Sequence, residues 1–124
     1  MLLGGVGRFE PQFGGDLGTE FGAGGAPVAA NITIHGSFRE RAPGWGKDLK
    51  GRFIILHGAE DKNYPLTTVA KVVDELRANA KDFLVEIYSK TEHGFSTPKN
   101  KDEERSDNRS IATAAAQMKE IFGM

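Results

Sequence analysis

The sequence predicts an α/β fold in which a small parallel sheet is flanked by helices. Three short apolar runs, at 28–35, 53–57 and 83–88, are typical of strands that are buried on both faces. One helical pattern lies between the second and third runs, and another follows the third run. Strand, helix, strand and helix in this order indicate a right-handed βαβ crossover with a terminal helix.

The predicted strands end at residues that interrupt regular structure. The run 28–35 becomes β-branched toward its end and stops before Gly36. The apolar pentad 53–57 stops before Gly58, and the run 83–88 is followed by a polar loop. These endings place each loop directly after a buried strand.

The two predicted helices have apolar residues at spacings of three and four. The first helix begins at Pro65, whose fixed φ suits a first turn, and the second begins near Ser110. The apolar face of the first helix consists of Val69, Val73, Leu76 and Ala80. That of the second consists of Ile111, Ala115, Met118 and Phe122. We expect both faces to cover the sheet.

Outside this pattern the chain is rich in glycine or in charge. Nine of the sixteen glycines fall within the first 25 residues, so 1–27 is predicted as a separate leader, either loop-rich or built of tight turns around a short helix. Residues 37–52 are expected to form a loop or broken helix, with Trp45 as a hydrophobic plug rather than a ligand platform. The balanced charges of 96–109 predict a solvated loop or helix face without function.

Composition excludes several classes of protein. Sixteen basic and seventeen acidic residues give a net charge of -1, which disfavours nucleic-acid binding. The absence of cysteine excludes disulfides, thiolate metal sites and a cysteine nucleophile. No apolar run approaches the roughly 20 residues of a membrane span, and no secretion signal is evident at the amino terminus. We therefore expect a cytoplasmic protein with no nucleic-acid or membrane partner.

Two polar residues follow neighbouring strands of the predicted sheet. Asp61 comes after the second strand and His93 after the third, so parallel pairing would bring both to the same edge. An aspartate can fix the tautomer of a histidine and stabilise its charged form, which would make His93 a general base. A purely structural hydrogen bond is the alternative. Although His35, His57 and Glu92 lie nearby, no compact ligand motif is present, and we expect no metal or other cofactor.

The motifs around these residues point to a known family. His57-Gly58-Ala59-Glu60-Asp61 is followed by Pro65, and Tyr88 is followed by Glu92-His93-Gly94-Phe95. At this spacing, 28–124 resembles the carboxyl-terminal half of the dienelactone hydrolase family of the α/β-hydrolase superfamily. The resemblance implies a truncated α/β-hydrolase-like fold. It also implies that Asp61 and His93 are the acid and base of a catalytic triad, with Gly94 and Phe95 shaping the histidine loop.

The position of the nucleophile departs from the family pattern. In the family, a cysteine or serine stands on a strand-to-helix elbow of the form G-x-[C/S]-x-G-G. Here the similar segment is Glu10-Pro11-Gln12-Phe13-Gly14-Gly15, with Gln12 in the nucleophile's place and Glu10 in that of the leading glycine. A glutamine amide cannot form an acyl-enzyme. The resemblance therefore implies a carboxylic ester or lactone hydrolase with impaired catalysis, a pseudoenzyme.

Three other hydroxyl residues are candidate substitutes for the nucleophile. Ser37 follows the first strand without a surrounding Gly-x-Ser-x-Gly pattern. Ser96 and Thr97 lie too close in sequence to His93 for a suitable geometry. None is favoured as a nucleophile.

The alternative function is a non-catalytic module for small-ligand binding or oligomerisation.

The resemblance also bears on self-association. Because only the second half of the family's sheet is recognised, its cut edge would need to be covered. We expect a homodimer or higher oligomer to cover it, or the Gly-rich leader to fold back over it.

Overall fold

In the part of the chain that the structure describes, one sheet has a helix against each face. A computed structural model describes residues 2–3, 7–10, 29–38 and 40–123. Within these residues the strands are β1 (Leu2–Leu3), β2 (Gly7–Glu10), β3 (Ala30–Ile34), β4 (Arg52–Gly58) and β5 (Phe83–Tyr88), adjacent in that order. Strands β2 to β5 are parallel, and β1 is antiparallel to β2. The predicted fold class is confirmed.

The described residues include two helices, α1 (Leu66–Ala78) and α2 (Lys101–Phe122). Alternate side chains of β4 point to opposite faces of the sheet. Ile54 and Leu56 pack in the cluster that contains Ala114 of α2. Phe53 and Ile55 pack in a second cluster, which also contains the buried residues of α1: Val69, Val72 and Leu76. β4 is therefore buried on both faces, as its uninterrupted apolar run predicts.

The beginning of the chain contains strands that the sequence analysis did not predict. β2 pairs in parallel with β3, with Glu10 opposite Thr33. A glycine-rich segment has little hydrophobic periodicity, so its own sequence does not predict a strand. Pairing with the neighbouring strand, rather than local preference, determines its strand conformation. Gln12, Gly14 and Gly15 lie outside the described residues, and the predicted elbow and short helix stay predictions.

The terminal helix differs from the prediction in both its start and its buried face. It begins at Lys101 rather than near Ser110, because the side chain of Asn100 accepts a hydrogen bond of 2.9 Å from the Glu103 N–H and caps it. Ile111 is 55% exposed, whereas the buried residues of the helix are Glu103, Ser106, Ser110 and Ala114. The predicted apolar face is wrong for Ile111 and Ala115, which are exposed, while Met118 packs against the core cluster as expected. Small and polar side chains, which a hydropathy pattern does not detect, occupy the rest of the contact with the sheet.

The first predicted helix is largely correct. Val69, Val72 and Leu76 are buried, but Ala80 lies beyond the end of α1 with a φ of 52°. The connection that precedes β4 is a loop with turns over 43–48, as expected from its glycines and proline. No helix in the described part of the chain is both long and apolar enough to cross a bilayer.

Candidate active site

Two loops leave the sheet side by side at its carboxyl edge. β4 and β5 end in register, with Gly58 opposite Tyr88. The Ala59 N–H donates to the Tyr88 carbonyl at 2.8 Å, and the Glu60 N–H donates to the Thr91 carbonyl at 2.9 Å. These hydrogen bonds join the loop that carries Asp61 to the loop that carries His93.

Asp61 and His93 are in direct contact. The distance from His93 Nδ1 to Asp61 Oδ2 is 2.8 Å, and the Asp61 side chain is completely buried while that of His93 is 13% exposed. The other oxygen, Oδ1, accepts the backbone N–H groups of Asn63 and Tyr64 at 2.9 and 2.8 Å. Asp61 is thus fixed by its own loop. When Nδ1 donates to the carboxylate, Nε2 of His93 carries the lone pair that can accept a proton.

His57 holds the loop that carries Asp61 through a hydrogen bond to its backbone. Its Nε2 donates to the Tyr64 carbonyl at 2.6 Å and lies 3.4 Å from Asp61 Oδ2. Burial lowers the pKa of His57, so its ring is neutral near pH 7. The structure gives this residue a role in positioning, which the sequence analysis did not assign.

His35 lies on the other side of His93. Its ring is edge-to-face with the rings of His93 and Phe95, at centroid distances of 5.4 and 5.2 Å. Burial, together with the neighbouring His93, lowers the pKa of His35 to about 4. Its Nε2 lies 2.5 Å from Ser96 Oγ, the separation of a nucleophile and its base. A histidine with so low a pKa is a weak base near pH 7, so this contact does not favour Ser96 as a nucleophile.

The histidine loop is fastened to the start of α2 by a buried carboxylate. Glu103 is 1% exposed, and its two oxygens accept the backbone N–H groups of Glu92 at 3.3 Å and Lys99 at 3.1 Å. Thr91 Oγ1 and Ser106 Oγ are 2.6 Å apart and form a second link. The interpretation of 96–109 as solvated is wrong for Glu103 and Ser106, which are buried.

A sequence signal for this arrangement was available. Asn100 followed three residues later by Glu103 is a capping-box pattern, which marks the start of a helix. A carboxylate in the first turn of a helix is also favoured by the helix dipole. Within a run of balanced charges this pair was the feature that indicated α2.

The other described residues that the sequence analysis named as site candidates lie in the histidine loop or at the ends of β2 and β3. Gly94 has a φ of 78°, which favours glycine, and Phe95 is completely buried, so both shape the histidine loop. Ser37 is half-buried just after β3, and Glu10 is the last residue of β2. Gln12 is not among the described residues. In the described part of the chain, no group of three or more histidine, aspartate or glutamate side chains is arranged to hold a metal ion.

A parallel sheet with an aspartate–histidine contact at the carboxyl ends of adjacent strands is typical of α/β-hydrolases. The chain belongs to the dienelactone hydrolase family, whose sequence model matches residues 12–124. This confirms the resemblance inferred from the motifs. No curated protein is significantly similar in sequence.

Solved structures confirm the fold. A dienelactone hydrolase-like promiscuous phosphotriesterase from metagenomic libraries is 24% identical, with a TM-score of 0.83 over 94% of this chain and 52% of its own. A structure named m3DLH is 23% identical, with a TM-score of 0.81 over 93% of this chain and 51% of its own. An α/β-hydrolase enzyme from a Medee basin deep-sea metagenome is 13% identical, with a TM-score of 0.75 over 96% and 55% of the two chains. The chain spans about half the length of these structures.

Proposed function

We propose that this chain hydrolyses carboxylic esters or lactones weakly, with His93 and Asp61 activating a water molecule. The observation that carries the proposal is the 2.8 Å contact between His93 Nδ1 and Asp61 Oδ2. Nε2 of His93 takes a proton from water as the oxygen attacks the ester carbonyl. The same proton then passes to the leaving alkoxide as the tetrahedral intermediate collapses, which gives a carboxylic acid and an alcohol.

The charges around His93 favour this proton transfer. The buried carboxylate of Asp61 stabilises the imidazolium that forms during attack. His35 and His57 are both neutral near pH 7 because burial lowers their pKa values. Neither ring therefore adds a positive charge that would oppose protonation of His93.

Impaired catalysis is the second part of the proposal. By resemblance Gln12 occupies the place of the nucleophile, and an amide forms no acyl-enzyme. Loss of a triad nucleophile commonly lowers kcat by about 10⁶-fold, with residual catalysis of roughly 10³–10⁴ over water. We expect turnover in that residual range.

The test is hydrolysis of p-nitrophenyl acetate at pH 7.5. Turnover is expected to fall by about 10²-fold or more in His93→Ala, because general-base catalysis is lost, and by a similar factor in Asp61→Asn, whose amide disturbs the histidine tautomer. Glu92→Gln, at the exposed neighbour of His93, is the matched control and should retain the wild-type rate. Wild-type turnover that persists in His93→Ala would refute the proposal.

A gain-of-function variant tests the nucleophile's position. Gln12→Ser should give faster turnover and a burst of p-nitrophenol that is absent from the wild type, because a covalent intermediate would then form. The double variant Gln12→Ser with His93→Ala should lose both. No burst in a folded Gln12→Ser protein would show that residue 12 does not stand at a working elbow.

The second candidate is a non-catalytic module, and the amide at Gln12 is the feature that favours it. A rise in Tm with a small ester or lactone, without turnover, would support ligand binding. A mass that grows with protein concentration, without either of those signals, would support oligomerisation.

A further inference from the structure

A cleft of about 550 Å³ lies between α1 and the loop that follows β3. Three aromatic side chains, Phe38, Trp45 and Tyr64, line it together with Thr68, Val72 and Ala78 of the helix side. Neither Asp61 nor His93 is among its described lining residues. We call this the α1 cleft, and its volume falls within the range of small-molecule sites.

Hydrogen bonds hold the two walls of the α1 cleft together. The carboxylate of Glu75 in α1 accepts the backbone N–H groups of Gly44 at 3.1 Å and Gly46 at 2.8 Å. Desolvation opposes its ionisation, but the hydrogen bonds from Gly46 and Gly44 prevail and hold the pKa of Glu75 below its usual value. The carboxylate is therefore ionised near pH 7 and ties the loop to the helix. The cleft is consequently present before a ligand arrives.

The lining of the α1 cleft is aromatic with neutral polar groups. The rings of Phe38 and Tyr64 meet edge-to-face, with centroids 6.5 Å apart and planes at 88°. The amide of Asn63 and the hydroxyl of Thr68 add neutral hydrogen-bonding groups. An aromatic ring fits such walls because it prefers edge-to-face or offset contacts with other rings.

The charges at the α1 cleft do not favour an anion. Two basic and three acidic side chains line it, a net formal charge of -1: Arg41, Lys71, Glu40, Asp74 and Glu75. Lys71 lies 3.8 Å from Glu40 at the exposed rim, and the Arg41 guanidinium lies over the Trp45 ring at 5.6 Å from its centroid. A negatively charged ligand would therefore gain little from this lining.

We propose that the α1 cleft is a binding site for a neutral aromatic group of about the size of a substituted phenyl ring. Tyr64 forms the wall that the cleft shares with the Asp61–His93 pair, since its ring lies 5.8 Å from that of His93 and its N–H donates to Asp61. The inference goes beyond the proposed hydrolysis, because binding at the cleft does not require turnover.

Trp45 provides a direct readout of binding. It is the only tryptophan of the chain. Fluorescence excited at about 295 nm, where tryptophan dominates the absorption, therefore comes from the lining of the cleft. Titration with neutral 4-nitrobenzyl alcohol, corrected with free N-acetyltryptophanamide, should give saturable quenching. Anionic 4-nitrobenzoate should bind about tenfold more weakly, because like charges repel across a partly desolvated site.

Matched variants locate the site. Thr68→Phe places a ring in the cleft and should weaken binding of 4-nitrobenzyl alcohol by about tenfold or more, since it removes the volume the ligand needs. Thr67→Phe, at the exposed neighbour outside the lining, should bind as the wild type does. His93→Ala should also bind normally, which separates this site from catalysis. If Thr68→Phe fails to fold by circular dichroism, Ala78→Leu, at an exposed lining position, replaces it.

Three results would overturn the inference. Quenching that is linear and no different from that of N-acetyltryptophanamide would show that nothing binds. Equal affinity in the wild type and in a folded cleft-filling variant would place the ligand elsewhere. Tighter binding of 4-nitrobenzoate than of the alcohol would show that the cleft selects anions. Loss of esterase activity in any other experiment would leave these binding results unchanged.

Discussion

Gly58 and Thr91 approach each other so closely that no side chain fits between them. A Cβ atom on Gly58 would lie 2.3 Å from the Thr91 carbonyl oxygen, which is backbone and cannot move aside alone. This close approach brings together the two loops that carry Asp61 and His93. The contact between Asp61 and His93 therefore depends on a glycine at the end of β4.

We predict that Gly58→Ala destabilises the protein by about 1–3 kcal/mol through overpacking and separates the two loops. Urea unfolding measures the first effect, and the ¹⁵N shifts of the His93 ring measure the second. Gly123→Ala is the control, because a Cβ there meets nothing within 4 Å and only backbone strain at a φ of 67° is expected. Unchanged stability and ring shifts in Gly58→Ala would contradict the prediction.

Removal of the buried carboxylate at the start of α2 should loosen the histidine loop. In Glu103→Ala the N–H groups of Glu92 and Lys99 lose their charged acceptor, at a cost of roughly 1.5–3 kcal/mol or less for each of these partly exposed hydrogen bonds. Amide hydrogen exchange at these two residues should become faster. In Glu103→Gln one carbonyl oxygen remains as acceptor, so the exchange rates should lie between those of the wild type and Glu103→Ala. In Glu104→Ala, at an exposed position, the exchange rates should equal those of the wild type. Equal exchange in all three variants would exclude this role.

The buried neutral histidines make stability depend on pH. The pKa of His35 is about 4 in the folded protein, below the usual 6.5, so the unfolded chain binds a proton more readily. The folded state therefore loses stability as pH falls from about 6.5 toward 4, by roughly 2 kcal/mol between pH 6.5 and pH 5 for this group. The lowered pKa of His57 adds a loss of the same sign.

Urea unfolding at a series of pH values measures this effect. In His35→Gln the slope of unfolding free energy against pH should be smaller than in the wild type between pH 5 and about 6.5. The comparison uses slopes, so a uniform loss of stability in the variant does not affect it. Parallel pH profiles for the two proteins would show that His35 does not titrate in this way.

Self-association remains a prediction. The cut edge of the sheet lies on the side of β1 and β2, and β5, at the opposite edge, offers a second place to test association. β5 pairs with β4 alone among the described strands, and Ile87 on it is 41% exposed. An exposed strand edge with an apolar side chain favours pairing with another chain. Sedimentation equilibrium should show a mass that rises with concentration and falls in Ile87→Lys. Ile111→Lys, at an exposed isoleucine on α2, is the matched control, and a monomer at every concentration would refute the prediction.

Much of the site was accessible from the sequence because its signals are local. Asp61 and His93 each follow a buried apolar run, and parallel pairing of those runs forces their loops to the same edge. The family motifs around them gave the same pair. The positions of His35 and His57 beside that pair were not accessible in the same way, because their ring contacts depend on side-chain packing between three different strands and loops.

The start of α2 shows why other features were missed. Glu103 and Ser106 are buried and polar, so a hydropathy pattern assigns them to solvent. Their burial is possible because the N–H groups of Glu92 and Lys99 donate to Glu103 and the hydroxyl of Thr91 pairs with Ser106. Whether a buried polar side chain finds a hydrogen-bond partner depends on the folded chain and cannot be predicted from the sequence of its own helix.

The sequence by itself determined the alternation of strand and helix, the parallel order of β3, β4 and β5, and the edge at which Asp61 meets His93. These follow from apolar periodicity and chain connectivity, which are local properties. Only the tertiary structure decided which face of α2 is buried, which carboxylate fixes the histidine loop, and that an aromatic cleft opens beside α1. These three features depend on contacts between residues far apart in sequence. Such contacts stabilise the protein only after the sheet has brought the residues together.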